Sequence, residues 1–222
     1  MEINADFTQP ACVHTESEPW VASPMPGVDR RMLDRVGEEV ARATSIVRYA
    51  PTSAFSPHTH GGGEEFVVLN GVFEDEYGAF PAGTYVRNPP GSRHTPGASK
   101  GCTIFVKLWQ FDPGDDRQFH KDIRSGLQAQ DEEQAVALLH ENSHERVTYR
   151  EMAPGAPLEV VPSDGIEILM LEGSLLDEER TLVRHSWLRL PPGSYYQAVA
   201  GREGASLWMK TGHLQRFRQP EA

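Results

Sequence analysis

Cysteine is nearly absent from this chain. Only Cys12 and Cys102 occur in 222 residues. Two thiols cannot make a disulfide framework, and a single bridge between them would be incidental. The same count excludes a cysteine-rich zinc finger. A reducing, cytoplasmic setting is the expectation. Long basic runs are missing as well, and the formal net charge is -11. A phosphate backbone needs clustered Lys and Arg, so no nucleic-acid partner is expected. No apolar run approaches the roughly 20 residues that span a bilayer, so no membrane partner is expected either. The opening MEINADFTQP is acidic and polar, unlike a secretory signal.

What the chain has is glycine and proline, 20 and 17 residues, with 38% hydrophobic residues. That mixture suits a turn-rich globular protein of one large or two small domains. Internal repeats settle the choice. EFVVLNG from Glu65 echoes EILMLEG from Glu167, and RNPPGSRH from Arg87 echoes RLPPGSYY from Arg189, both at an offset of 102. GCTIFVK from Gly101 echoes GASLWMK from Gly204, and YAPTSAF from Tyr49 echoes MAPGAPL from Met152, both at 103. Four matches in one order read as a duplicated unit.

The unit is built of strands. EEFVVLNGVF, TYVRNPPG and CTIFVKLWQF are β-branched or aromatic runs punctuated by Gly and Pro, the rhythm of a sandwich or barrel. Two segments, MLDRVGEEVARA and DEEQAVALLHE, have helical composition. Their place in a repeat of strands favours a strand for the first and leaves the second open. The polar stretch from Asp112 to Glu133 reads as the linker between repeats.

The chemistry centres on HTHGGGEE. Residues two apart on a strand share a face, so His58 and His60 project together and begin a chelate. Gly61, Gly62 and Gly63 allow a tight turn that returns Glu64 or Glu65 toward them. A further imidazole, His94, follows the turn NPPGSRH. His14, His120, His140, His144, His185 and His213 lack such a setting and read as surface or structural. Cys102 reads as a buried thiol, with a redox-sensing thiol as the alternative. Cys12 with His14 could add a ligand, though a flexible N-terminus is the simpler reading. Arg48, Lys107 and Trp109 are candidates for lining a barrel mouth, and Glu74-Asp75-Glu76 reads as a solvated turn.

These residues resemble the two cupin motifs. The first, G-x5-H-x-H-x3–4-E-x6-G, aligns with His58, His60, Glu64 and Gly71, with Thr52 in place of the leading glycine. The second, G-x5-P-x-G-x2-H-x3-N, aligns with Gly83, Pro89, Gly91 and His94, with Ala98 in place of the asparagine. Residues 15–112 further resemble the cupin of ChrR-type anti-sigma factors. The resemblance implies an all-β fold of two jelly-roll cupin barrels in tandem, divided as 1–113 and 114–222. It implies metal ligands His58, His60, Glu64 and His94. It implies zinc, while Fe, Mn and Ni suit the same donors. It implies a regulatory, stress-response role in sensing a small molecule or oxidant. The alternative is a metal-dependent dioxygenase acting on a diketone or related organic acid, for which no catalytic residue is assigned. The H-x3-C-x2-C module with which that family grips its sigma factor is not in this sequence, which argues against a sigma-factor partner. A small-molecule ligand and a homodimer are compatible with the reading.

The duplicate bears on the choice of glutamate. At the offset of 102, Glu64 faces Ile166, Glu65 faces Glu167 and His94 faces Tyr196. His58 faces Val160 or Val161, and His60 faces Pro162 or Ser163. No ligand recurs, yet Glu65 does. Glu64 is therefore the expected ligand, and Glu65 a structural or solvent-facing residue.

Overall fold

The computed structural model describes residues 1–38, 40–112, 114–162 and 164–215. Among the described residues, every regular element longer than three residues is a β-strand. The chain forms two compact units. Among the described residues, the first takes Met1–Ala5 and Glu18–Asp122; the second takes Asp6–Ser17 and 123–215. A cut at 113 therefore needs amending at both ends; Pro113 itself lies outside the described residues. Strand Phe119–Asp122 pairs antiparallel with Thr84–Asn88, which keeps it in the first unit. Strand Ala11–His14 pairs with Ser186–Leu190, which takes the early residues into the second. Each covers an edge that would otherwise offer unpaired backbone groups. The stretch expected to be a linker is thus partly strand.

Both segments of helical composition contribute strands in place of helices. Val28–Gly37 and Ala41–Tyr49 form a hairpin in register from Val28 opposite Tyr49 to Gly37 opposite Ala41. Gln134–Glu141 pairs with Arg146–Met152. Its burial alternates, with Ala137 and Leu139 buried and Leu138 exposed. That period of two is what Ala and Leu propensity concealed.

The core of the first unit joins Phe66, Phe73, Phe80, Val86, Ile104 and Val106. That of the second joins Ile168, Met170, Leu175, Leu188, Leu207 and Met209. Long strands Glu64–Asp75 and Ile166–Leu176 carry the corresponding positions. Each strand adopts the left-handed backbone conformation at one glycine, Gly71 (φ +73°) or Gly173 (φ +69°). A Cβ there would lie 2.2 Å from the Gly101 oxygen or 2.1 Å from the Gly204 oxygen, so only glycine fits. This accounts for the LNG and LEG echoes.

Next to each core lies a buried charged rung. Glu65 stands opposite Arg87 on one side and Lys107 on the other. All three are 1% exposed. One Glu65 oxygen accepts from Tyr85 Oη at 2.7 Å and from Arg87 Nη1 at 2.8 Å. Arg87 also pairs with Asp115 at 2.5 Å, and Lys107 donates to Thr44 at 2.9 Å. In the second unit Glu167 stands opposite Arg189 and Lys210. It accepts from Trp187 Nε1 at 2.7 Å and pairs with His213 at 2.9 Å. Glu65 is thus structural and buried, not solvent-facing.

A buried carboxylate stripped of its cation is costly. Arg87→Met is expected to lower the unfolding free energy by about 3 kcal/mol or more, read as a fall in the urea midpoint. An unchanged midpoint would show that the rung carries no stability.

Candidate metal centre

The pleat sends neighbouring residues to opposite faces, so fixing Glu65 in the rung turns Glu64 the other way. Two short strands complete the site. His58–Thr59 pairs with Arg93–His94, which sets His58 directly opposite His94. His60 follows, and its amide donates to the Ser92 carbonyl. The three glycines then have a steric role as well as a conformational one. A Cβ on Gly61 or Gly62 would strike the Trp109 ring at 2.9 or 2.2 Å, and one on Gly63 would strike Phe111 at 2.4 Å. Trp109 and Phe111 lie against this bare backbone and close the turn between His60 and Glu64.

The side chains converge. Nitrogen atoms of His58, His60 and His94 all lie within 4.8 Å of one another, and the group could hold a metal ion. His60 Nε2 is 3.0 Å from His94 Nε2. Glu64 Oε2 is 3.3 Å from the first and 3.5 Å from the second. His60, Glu64 and His94 are buried, at 7%, 7% and 2% exposure. Donors about 2.1 Å from a common ion stand about 3.0 Å apart at right angles and about 3.4 Å apart at tetrahedral angles. The observed spacings fall on those edges. Two imidazole nitrogens this close also need a proton or a cation between them.

The surroundings set the lone pairs. His94 Nδ1 lies 3.1 Å from Asp75 Oδ2, and His58 Nδ1 lies 3.1 Å from the Ser56 carbonyl. Each oxygen can only accept, so Nδ1 carries the proton and Nε2 presents a lone pair. Asn88 Nδ2 donates to Glu64 Oε2 at 3.1 Å and in turn receives from Gln118. Burial, aided by the neighbouring imidazoles and opposed by Glu64, holds His60 below the usual histidine range. Burial also acts to lower His94, but the Asp75 hydrogen bond and the charges of Glu64, Asp75 and Glu76 outweigh it and raise its pKa.

Asp75 was read from the sequence as part of a solvated turn. Its side chain is 5% exposed and turned inward. The signal was in the alternation: Phe73 is buried, and Asp75 is two residues on. Glu74 and Glu76 do stay outside, binding Ser99 and the Thr95 amide. Trp109, with φ +59°, lines a cavity beside the histidines. Arg48 instead pairs with Asp29 at 2.6 Å, and Lys107 belongs to the buried rung. His140 and His213 are buried or nearly so and set against Glu145 at 3.5 Å and Glu167 at 2.9 Å.

The cavity has a volume of about 500 Å³, and His58, His60 and Glu64 form part of its wall. Val28, Val47, Ile104, Val106 and Leu108 make much of the rest. This size and apolar lining suit a small organic ligand. A cavity of about 490 Å³ in the second unit is lined by carboxylates, among them Glu151, Glu172 and Glu203, with no imidazole. At the positions equivalent to the site, Ile166 stands opposite Leu190 where Glu64 stands opposite Asn88. Tyr196 replaces His94, and Asp177 stands where the first unit has Asp75. Burial, with Asp177 nearby, raises the Tyr196 phenol. Of the two expected counterparts of His60, Pro162 and Ser163, Ser163 lies outside the described residues.

Residues 8–112, just under half of the chain, match the family model of the ChrR Cupin-like domain. The fold is the all-β cupin fold. It is similar to a candidate dioxygenase from Nostoc punctiforme, with 14% identity and a TM-score of 0.75 over 97% of this chain and 87% of that one. Bacterial pirin YhhW from Escherichia coli, in complex with nickel(II), matches with 10% identity and a TM-score of 0.69 over 91% and 98%. Oxalate decarboxylase of Bacillus subtilis, studied for its Mn(II) centres, matches with 12% identity and a TM-score of 0.63 over 95% and 79%. A comparison with curated protein sequences returns no match. Among the described residues no helix is long and apolar enough to cross a membrane.

Cys102 is free, 4% exposed and pushed up to about 12 by burial, with Glu74 adding to the shift. In native protein at pH 8 it is expected to resist dithionitrobenzoate and to react fully once urea unfolds the chain. Rapid labelling in the native state would contradict this burial and revive the redox-thiol alternative.

Proposed function

We propose that the first unit holds a divalent metal ion on His58, His60, Glu64 and His94 and uses it to bind a small organic molecule in the adjoining cavity. The carrying observation is the convergence of three imidazoles and one buried carboxylate, at coordination-edge spacings, on the wall of an apolar cavity. The match of residues 8–112 to the ChrR Cupin-like domain supports a regulatory, stress-response reading: the site senses a small molecule or oxidant, with zinc as the resident ion. When bound there, the ion supplies a Lewis-acid centre. Asp75 orients His94 toward it, Asn88 steadies Glu64, and Trp109 and Phe111 keep solvent from the glycine turn. On this reading the units are two cupin barrels in tandem, and the second is a structural partner from which Ile166, Leu190 and Tyr196 have displaced the ligands. On this reading the protein acts in the cytoplasm, with a small molecule as its partner.

A second reading, turnover of a diketone or related organic acid, draws support from the fold shared with the candidate dioxygenase and from the cavity's direct access to the donors. Oxygen uptake separates the two. Protein loaded with zinc or iron(II) and offered a panel of diketones is expected to consume no oxygen with either ion. Uptake with iron(II) alone would replace sensing by catalysis.

The ligand set is tested separately. His94→Ala is expected to abolish metal binding with the fold retained by circular dichroism. Asp75→Asn is expected to weaken metal affinity by about 10- to 100-fold, the usual cost of a lost partner behind a ligating histidine. Undiminished metal content in both variants would refute the assignment.

A further inference from the structure

Among the described residues, one cationic side chain, Arg30, lines the cavity beside the histidines. Arg30 stands opposite Val47 and two residues from Val28, which stands opposite Tyr49. Cross-strand partners and i, i+2 neighbours share a face, so Val28, Arg30, Val47 and Tyr49 line the cavity together. The flanking residues are engaged elsewhere. Asp29 pairs with Arg48 at 2.6 Å, and Arg31 stacks on Trp20 with its guanidinium 4.3 Å from the ring centre. Among the described residues Arg30 has no such partner, and its Nε is buried without a hydrogen bond. Among the described residues the only carboxylate on the cavity wall is Glu64, already held by Asn88. The charge of Arg30 is also felt nearby: burial first, and Arg30 second, hold Arg35 below the usual arginine range.

An unpaired guanidinium beside apolar walls carries a desolvation cost that an anion would offset. Its planar fork matches a carboxylate in particular. We propose that the cavity receives a small organic carboxylate, with its carboxylate on Arg30 and its apolar body among Val28, Val47, Ile104 and Leu108. Tyr49 adds a second recognition group. Its phenol, a donor at neutral pH, belongs to the same wall. This inference rests on the metal reading above for the other end of the ligand, which meets the His58, His60 and Glu64 side of the cavity.

The test uses butanoate, hexanoate and benzoate, each against its neutral amide, titrated calorimetrically into metal-loaded and metal-free full-length protein. At least one acid is expected to bind about tenfold or more tightly than its amide, the scale of a charged hydrogen bond. Arg30→Gln is expected to reduce that acid to the level of its amide while metal content stays at the wild-type value. Equal binding of every acid and its amide, no binding of any acid, or undiminished acid binding by Arg30→Gln would overturn the proposal. The acid-to-amide comparison on wild-type protein needs no variant to fold. Metal content is measured on the same samples, so loss of the metal reading shows as absent metal. Failure of this inference alone shows as metal present without preference for the acid.

Discussion

The buried carboxylate of Glu65 constrains the rest of the first unit. Held between Arg87 and Lys107 and capped by Tyr85, it is satisfied in only one register of the three strands that meet there. A slip of one residue would put an unpaired carboxylate into the core and turn every alternate side chain to the wrong face. Because Glu65 cannot move, Glu64 must face the cavity, where it meets His60 and His94. The same rung recurs as Glu167, Arg189 and Lys210 in a unit without the histidines. The rung therefore belongs to the fold, and the candidate metal centre lies on its opposite face.

Comparison of the two units shows what that centre requires. Where the first has Glu64 opposite Asn88, the second has Ile166 opposite Leu190. A polar pair aimed into an apolar interior is stable only with partners, and the partners here are imidazoles and each other. Without an ion to hold, aliphatic side chains fill the same space and add burial worth roughly 1.5–3 kcal/mol each. Asp75 and Asp177 occupy equivalent positions, yet one orients an imidazole while the other lies near a phenol and Arg180.

Much of this was legible in the sequence, for physical reasons that differ by element. The duplication was visible because glycine is obligatory at Gly71 and Gly173, and because the rung needs the same charges twice. The set His58, His60, Glu64 and His94 was implied by the cupin resemblance, with the metal-free duplicate favouring Glu64 over Glu65, and in the structure these four side chains lie close together. Asp75 was missed because an acidic triplet looks solvated unless it is read against Phe73. The segments at 32–43 and 131–141 looked helical because Ala, Glu and Leu favour helices locally, whereas strand pairing decided their fate. The boundary between units was misplaced because two short edge strands, Ala11–His14 and Phe119–Asp122, pair far from their sequence neighbours, and nothing in their composition signals it. The three glycines were read as conformational, while their steric role depends on Trp109 and Phe111, which lie more than forty residues on.

The central claim is that one face of one strand, at Glu64, was adapted to hold an ion while the next residue stayed in the frame. Anomalous diffraction at the edge of whichever metal copurifies with the protein tests this most directly. The account predicts one ion per chain, within bonding distance of His58, His60, His94 and Glu64, with Glu65 still bound to Arg87. An ion coordinated by Glu65, an ion in the second unit at Tyr196, or no ion at the histidines would contradict it.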